Sequence, residues 1–165
     1  MNQTGQSDSK NLGLALLRIT LGLIITITWY DNLVKGLYTA DGLSGFLNWL
    51  FDPNGNASSL TFYKAILDVT IIPAAAIFGV FQLVGELLMG LGLLSGSFTR
   101  FFGFAAMAFF FNLFLSYFGG HEWIWTYVIL FMSSLTVTFG YAGRTLGVDQ
   151  KLVESRGEPP YPILW

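Results

Sequence analysis

Cysteine is absent from the 165-residue chain, and histidine occurs once, at His121. Without thiols there is no disulfide, no cysteine-held iron–sulfur cluster and no thiolate nucleophile. One imidazole cannot supply paired axial haem ligands or a four-ligand zinc site. Charge is scarce too. Eight Lys and Arg with ten Asp and Glu make up 11% of the residues, against roughly 25% in an ordinary soluble domain. So few ionic groups cannot clothe a water-facing surface, which excludes a water-soluble enzyme as the leading reading. A disordered segment needs low hydrophobicity and high charge, and a nucleic-acid module needs a basic surface. A net charge of −2 with 53% hydrophobic residues meets neither requirement.

What the chain does have is long apolar runs. Between Lys10 and Asp31 the only charge is Arg18, and between Asp68 and Arg100 it is Glu86. Phe101 to Gly120 and Trp123 to Gly143 carry none. A helix needs about 20 mostly apolar residues to cross the hydrocarbon, so the gaps predict four spans: Leu12–Tyr30, Ala74–Ser95, Phe101–Phe118 and Ile124–Tyr141. Barrel strands would alternate with period two, and these runs are continuous. The expected fold is therefore all-α, an integral membrane four-helix bundle. Residues 1–11 form a polar N-terminal tail, 12–147 the transmembrane domain, and 148–165 an extended C-terminal tail with a frayed end. The insertion 31–73 is too long for a plain turn. Within it Leu43, Phe46, Leu47, Leu50 and Phe51, then Phe62, Tyr63, Ile66 and Leu67, recur at helical spacing, predicting two short helices laid apolar side down. Asn56-Ala57-Ser58 between them matches a glycosylation sequon. Lys and Arg near the helix ends favour the side bearing both termini, which places the termini in the cytoplasm and the chain in the cell membrane as a multi-pass protein.

Ionisable groups inside a bilayer are costly and are functional candidates by default. Arg18 and Glu86 have opposite sign and fall at similar distances from the cytoplasmic helix ends, so an ion pair between them is expected. Two roles fit such a pair: a pin that fixes helix register, or a proton-linked site that binds a head group. Gln82, one turn from Glu86, and Asn112 on the third span would complete a polar pocket. Trp29 belongs to an outer-face aromatic group that serves either as an interfacial belt or as a stacking surface. Arg100 and Arg144 bracket helix ends, as membrane anchors or as contacts for an anion or lipid phosphate. His121 lies in the outer turn beside Glu122.

With these residues in place, the chain resembles the DoxX/DoxD family of small four-helix membrane proteins, and within it the DoxD type. The likeness runs through Leu17-Arg18-Ile19-Thr20-Leu21-Gly22, Gly85-Glu86-Leu87 and Gly90-Leu91-Gly92-Leu93-Leu94, then Phe98-Thr99-Arg100. It is strongest at Tyr141-Ala142-Gly143-Arg144-Thr145-Leu146-Gly147-Val148-Asp149. At the first-helix exit, where family members often carry Gly-x-x-Lys, this chain has Trp29-Tyr30-Asp31-Asn32-Leu33-Val34-Lys35. The resemblance implies the membrane subunit of a thiosulfate:quinone oxidoreductase, part of a respiratory complex. Thiosulfate would be oxidised to tetrathionate and the electrons passed to membrane quinone in company with a second protein subunit. It makes Glu86 and Arg18 the expected catalytic pair, with Gln82, Asn112 and Trp29 as quinone contacts. The alternative is a non-catalytic membrane anchor or assembly partner of a redox complex, which the lack of cofactor ligands and the Phe-rich third span favour. A small transporter has little support, since no broken-helix pair is visible.

Overall fold

Apolar runs without internal charge fold as helices because a helix satisfies every backbone polar group within the segment itself. The computed structural model describes residues 3–164, with side chains from Leu12 onward, and among them every regular element is helical. The elements are α1 (Gln3–Val34), α2 (Ala40–Phe51), α3 (Thr61–Thr70), α4 (Ala75–Ser95), α5 (Thr99–Tyr117), α6 (Trp125–Phe139) and α7 (Val148–Arg156). Three stretches, Leu12–Val34, Thr61–Ser95 and Thr99–Tyr117, are long and apolar enough to cross a membrane, and α6 is a shorter apolar helix. Their outward faces are as apolar as their inward ones: Ile27, Phe81 and Ile129 are all more than half exposed. Such outward faces are compatible with a lipid surrounding.

The helices associate as two tight pairs, α1 with α4 and α5 with α6, and the pairs meet each other more loosely. Small residues set the close approaches. A Cβ on Gly22 of α1 would fall 2.6 Å from the Leu94 amide nitrogen of α4, and one on Gly103 of α5 would strike the Thr138 side chain of α6. Such contacts let backbones touch where lipid offers no hydrophobic drive to association. Leu21, Ile25, Met89, Leu93, Ala106 and Phe110 fill the core between the pairs.

The insertion forms both expected helices. α1 ends in a Schellman motif, with Gly36 at φ 72° and the Leu37 amide bonded to the Asn32 carbonyl. Thr39 then caps α2 by accepting the Gly42 amide. Leu43, Leu47 and Leu50 of α2 close over Tyr63 and Leu67 of α3 in a second apolar cluster that reaches Ala75. The loop between these helices is stitched to the turn after α5. Asn56 accepts the His121 amide on its backbone carbonyl and the Glu122 amide on its side chain, and Ser58 donates to the Ser116 carbonyl.

One expectation needs correction: the segment after Val148, expected to be extended, is helical to Arg156 before folding back. Residues from Gln3 continue α1 as helix. Met1, Asn2 and Trp165 lie outside the described residues. Because Gly22 meets backbone and not a yielding side chain, Gly22→Ala should destabilise the protein by about 2 kcal/mol. Gly13→Ala, whose Cβ meets nothing within 4 Å, should be neutral or slightly stabilising. Thermal unfolding in detergent followed by circular dichroism checks both.

Candidate functional site

The expected Arg18–Glu86 ion pair does not form. Gly22 stands against Leu94 and Thr26 against Gly90, so Arg18 is level with Phe98 while Glu86 is level with Tyr30. The two charges are separated in height by about twelve helical positions, ~18 Å. Equal depth was inferred from each helix's own end, but α1 begins well before α4 ends, and the packing register decides the level.

Arg18 is fully buried at the end of the molecule that carries α7. Its Nη1 donates to the Ala142 carbonyl at 2.9 Å and the Thr145 carbonyl at 3.3 Å, and its Nη2 to the Leu146 carbonyl at 2.9 Å. These acceptors are backbone carbonyls of the turn that joins α6 to α7. Tyr141 and Leu146 flank them with φ 51° each, a left-handed backbone that non-glycine residues adopt at a cost of roughly 1–2 kcal/mol. The fully buried Asp149 supplies the opposite charge. It accepts the Phe98 amide at 2.7 Å and the Thr99 amide at 2.9 Å, capping the start of α5. Gly96 and Gly147 line the guanidinium, and a Cβ on either would overlap it. Burial raises the Asp149 carboxyl above the ordinary aspartate range, against the lowering pull of the Thr99 and Phe98 donors and of Arg18. Arg18 is therefore a structural clasp, and the Tyr141–Asp149 segment is the other half of it.

Arg100 and Arg144 both stand over the Tyr141 ring, 4.6 and 4.4 Å from its centroid. Arg144 holds Glu158 by two bonds of 3.0 and 2.6 Å, and Arg100 donates to the Pro162 carbonyl. Both guanidinium groups are engaged by the folded-back tail, which stands where an external anion was expected.

Glu86 is 3% exposed, and among the described residues no cation lies against it. The Tyr38 hydroxyl donates to its Oε2 at 2.6 Å and the Gln82 amide to its Oε1 at 2.7 Å. Asn32 reaches both Glu86 and Tyr38. Burial, then the neighbouring Glu86 carboxyl, raise the Tyr38 phenol above its ordinary range, so it stays a donor. Asn112 stands across from this group and donates to the Tyr63 hydroxyl at 2.6 Å.

Two cavities meet here. One, of about 420 Å³, lies between α4 and α5 beneath α2 and is lined by Phe81, Gln82, Gly85, Glu86, Ala108 and Asn112 among others. The other, of about 560 Å³, lies towards α1 and α6, with Asn32, Lys35, Trp49, Tyr117 and Tyr127 in its wall. Phe46, Gln82, Glu86, Phe109 and Leu113 belong to both. The cause is the packing: the helix pairs, held together by the clasp at one end, part towards the other, and α2 wedges the gap. A buried acid between hydrogen-bond donors in an apolar chamber can orient, and exchange a proton with, a ligand bearing polar oxygens.

Of the residues singled out in the sequence, the fold brings Glu86, Gln82 and Asn112 together. Trp29 lines neither cavity and instead donates its indole N–H to the Leu83 carbonyl at 2.9 Å, binding α1 to α4. His121 faces the Gly55 carbonyl. Tyr38 and Asn32 were missed, and Phe46 was read only as part of the apolar face of α2. Asn32 was findable, since it continues the inward stripe Arg18, Leu21, Ile25 at helical spacing. Tyr38 reaches Glu86 only because the chain reverses at Gly36, which spacing does not reveal. Comparison with family models, with curated proteins and with solved structures finds no match for this chain.

Two outcomes follow for the clasp. Arg18→Met should cost about 3 kcal/mol or more, since it orphans buried carbonyls and leaves Asp149 without its cation; unfolding in detergent reads this. Asp149 holds its proton more readily folded than unfolded, so its contribution is present below the ordinary aspartate value and is lost as pH rises through the raised one. The pH slope of stability, at most about 1.4 kcal/mol per unit for one proton, should flatten over that window in Asp149→Asn.

Proposed function

We propose that this chain is the quinone-binding membrane subunit of an oxidoreductase of the DoxD type, crossing the bilayer four times with both termini in the cytoplasm. The observation that carries the reading is Glu86: a buried carboxyl with no counter-cation among the described residues, held by Tyr38 and Gln82 at the wall shared by two apolar cavities. Buried ionisable groups in membrane helices are expensive, and this one fixes no helix register through a salt bridge. Glu86, Gln82 and Asn112 suit a ring bearing two carbonyl oxygens, and Phe46 and Phe109 supply apolar walls. A bound quinone supplies two-electron, two-proton chemistry. The chain's own part is to bind the ring, exclude water and hold a proton at the Glu86 carboxyl, with Tyr38 and Asn32 orienting that group.

The resemblance gives thiosulfate as the electron source: two thiosulfate ions joined as tetrathionate release two electrons. We assign that oxidation to a second subunit. Arg18 is engaged by carbonyls and Arg144 by Glu158, and on the insertion Lys35 pairs with Asp31 and Lys64 with Asp68, so these cations present no bare site for a dianion.

Titrating the detergent-purified protein with a short-chain benzoquinone, read by quenching of Trp49 emission, should show saturable binding. Glu86→Gln should weaken it about tenfold, equivalent to about 1.4 kcal/mol, and abolish thiosulfate-dependent quinone reduction by the assembled complex. A protein that binds no quinone, yet travels with larger redox subunits, would replace this reading with that of a membrane anchor.

A further inference from the structure

The smaller cavity reaches the outer surface of the molecule. Phe81 lines it and is 73% exposed, and Phe78 and Ala108, also exposed, line it beside Phe81. α4 and α5 are the two neighbours across this flank, and they touch far less than either tight pair does. Small residues keep the gap open. A Cβ on Gly85 would meet nothing within 4 Å, and Ala105 and Ala108 face it from α5. The polar groups of this cavity gather at its inner end, at Gln82, Glu86 and Asn112, and the path outward from them is apolar. At the loop end the way is barred. α2 lies over the cavity through Leu43, Phe46 and Leu47, and its loop is sewn to the α5–α6 turn through Asn56 and Ser58. Moving that cover would break buried hydrogen bonds, whereas the flank between α4 and α5 breaks none to admit a chain.

From this geometry we infer that the ligand is an amphipathic lipid with one polar ring-sized head and a long apolar tail. The head lies against Glu86 and Gln82, and the tail leaves sideways between α4 and α5 into the bilayer. The inference rests on the quinone-site reading and adds the ligand's shape and direction. It also explains Phe81, whose ring at the mouth offers an apolar surface to a passing tail. In water such an opening would be an exposed hydrophobic patch, while in lipid it is a door flush with its solvent.

The test uses the full-length protein in lipid nanodiscs and two probes: dimethoxy-methyl-benzoquinone without a side chain, and the same ring with a decyl chain. Wild type should bind both. Ala108→Trp and Gly85→Leu each plug the gap, from α5 and α4 respectively, and Ile129→Trp on the exposed face of α6 serves as the control. Either plug should weaken the decyl probe at least tenfold and change the chainless ring by less than about twofold, while the control changes neither. Equal weakening of both probes by both folded plugs, or no effect on either probe, overturns the sideways tail and leaves the ring site standing. Failure of wild type to bind either probe removes the ring site itself and the inference with it. Using plugs on two helices guards against one of them failing to fold.

Discussion

The structure depends on a charge sealed away from water at one end of the helices. Arg18 has no solvent contact and gives its N–H groups to three carbonyls beyond the end of α6. Asp149, equally sealed, takes two amides at the start of α5. Asp149 is matched to the N-terminus of α5, and Arg18 to the carbonyls of the turn between α6 and α7. This lowers the desolvation cost that a bare buried pair would carry. The left-handed residues Phe98, Tyr141 and Leu146 gather at this place because tight turns must bring those backbone groups onto the ions. Removing the cation would leave the turns strained and their carbonyls unmatched. α1 is thereby tied to the α6–α7 connection and α5 to α7, which fastens the two helix pairs at the end where Leu21, Leu93 and Ala142 also pack between them.

That tie has a geometric consequence at the far end. Two pairs of helices fastened at one end and tight only within each pair are free to part at the other, and α2 occupies the opening. The cavities around Glu86 are thus a product of topology, not an accident of side-chain size. The carboxyl persists there because Tyr38 and Gln82 each donate to one of its oxygens, and a satisfied polar group in a low-dielectric interior is rigid as well as tolerable. Its neighbours from other elements are phenols and amides, with Lys35, already bound to Asp31, the one cation in the wall of either cavity.

Much of the fold was legible in the sequence because charge gaps and helical periodicity act locally. The apolar helices, the two short helices of the insertion and the turn at Gly96 all follow from residues within one or two turns of each other. The gathering of Gln82, Glu86 and Asn112 was legible for a related reason, since each is a lone polar residue on an apolar helix. Partnership was not legible. Arg18 and Glu86 looked matched because depth was counted along each helix, while true height depends on where Gly22 meets Leu94, a contact between residues far apart in sequence. The same limit hid Tyr38, and it made Arg100 and Arg144 look open when Glu158 and the Pro162 carbonyl lie against them. The Tyr141–Asp149 motif drew attention as a signature, and its physical content is the receptor for a single arginine.

Asn56 has a consequence for the protein's life before it is folded. Its side-chain amide is spent on Ser58, whose own hydroxyl is spent on the Ser116 carbonyl, and the residue is 1% exposed. Any enzyme that hangs a sugar on this triplet would have to arrive while the segment is still emerging, and a carbohydrate found there would keep the two outer connections from ever locking. In a secretory pathway, glycan occupancy would therefore serve as a clock for how fast this corner closes during synthesis.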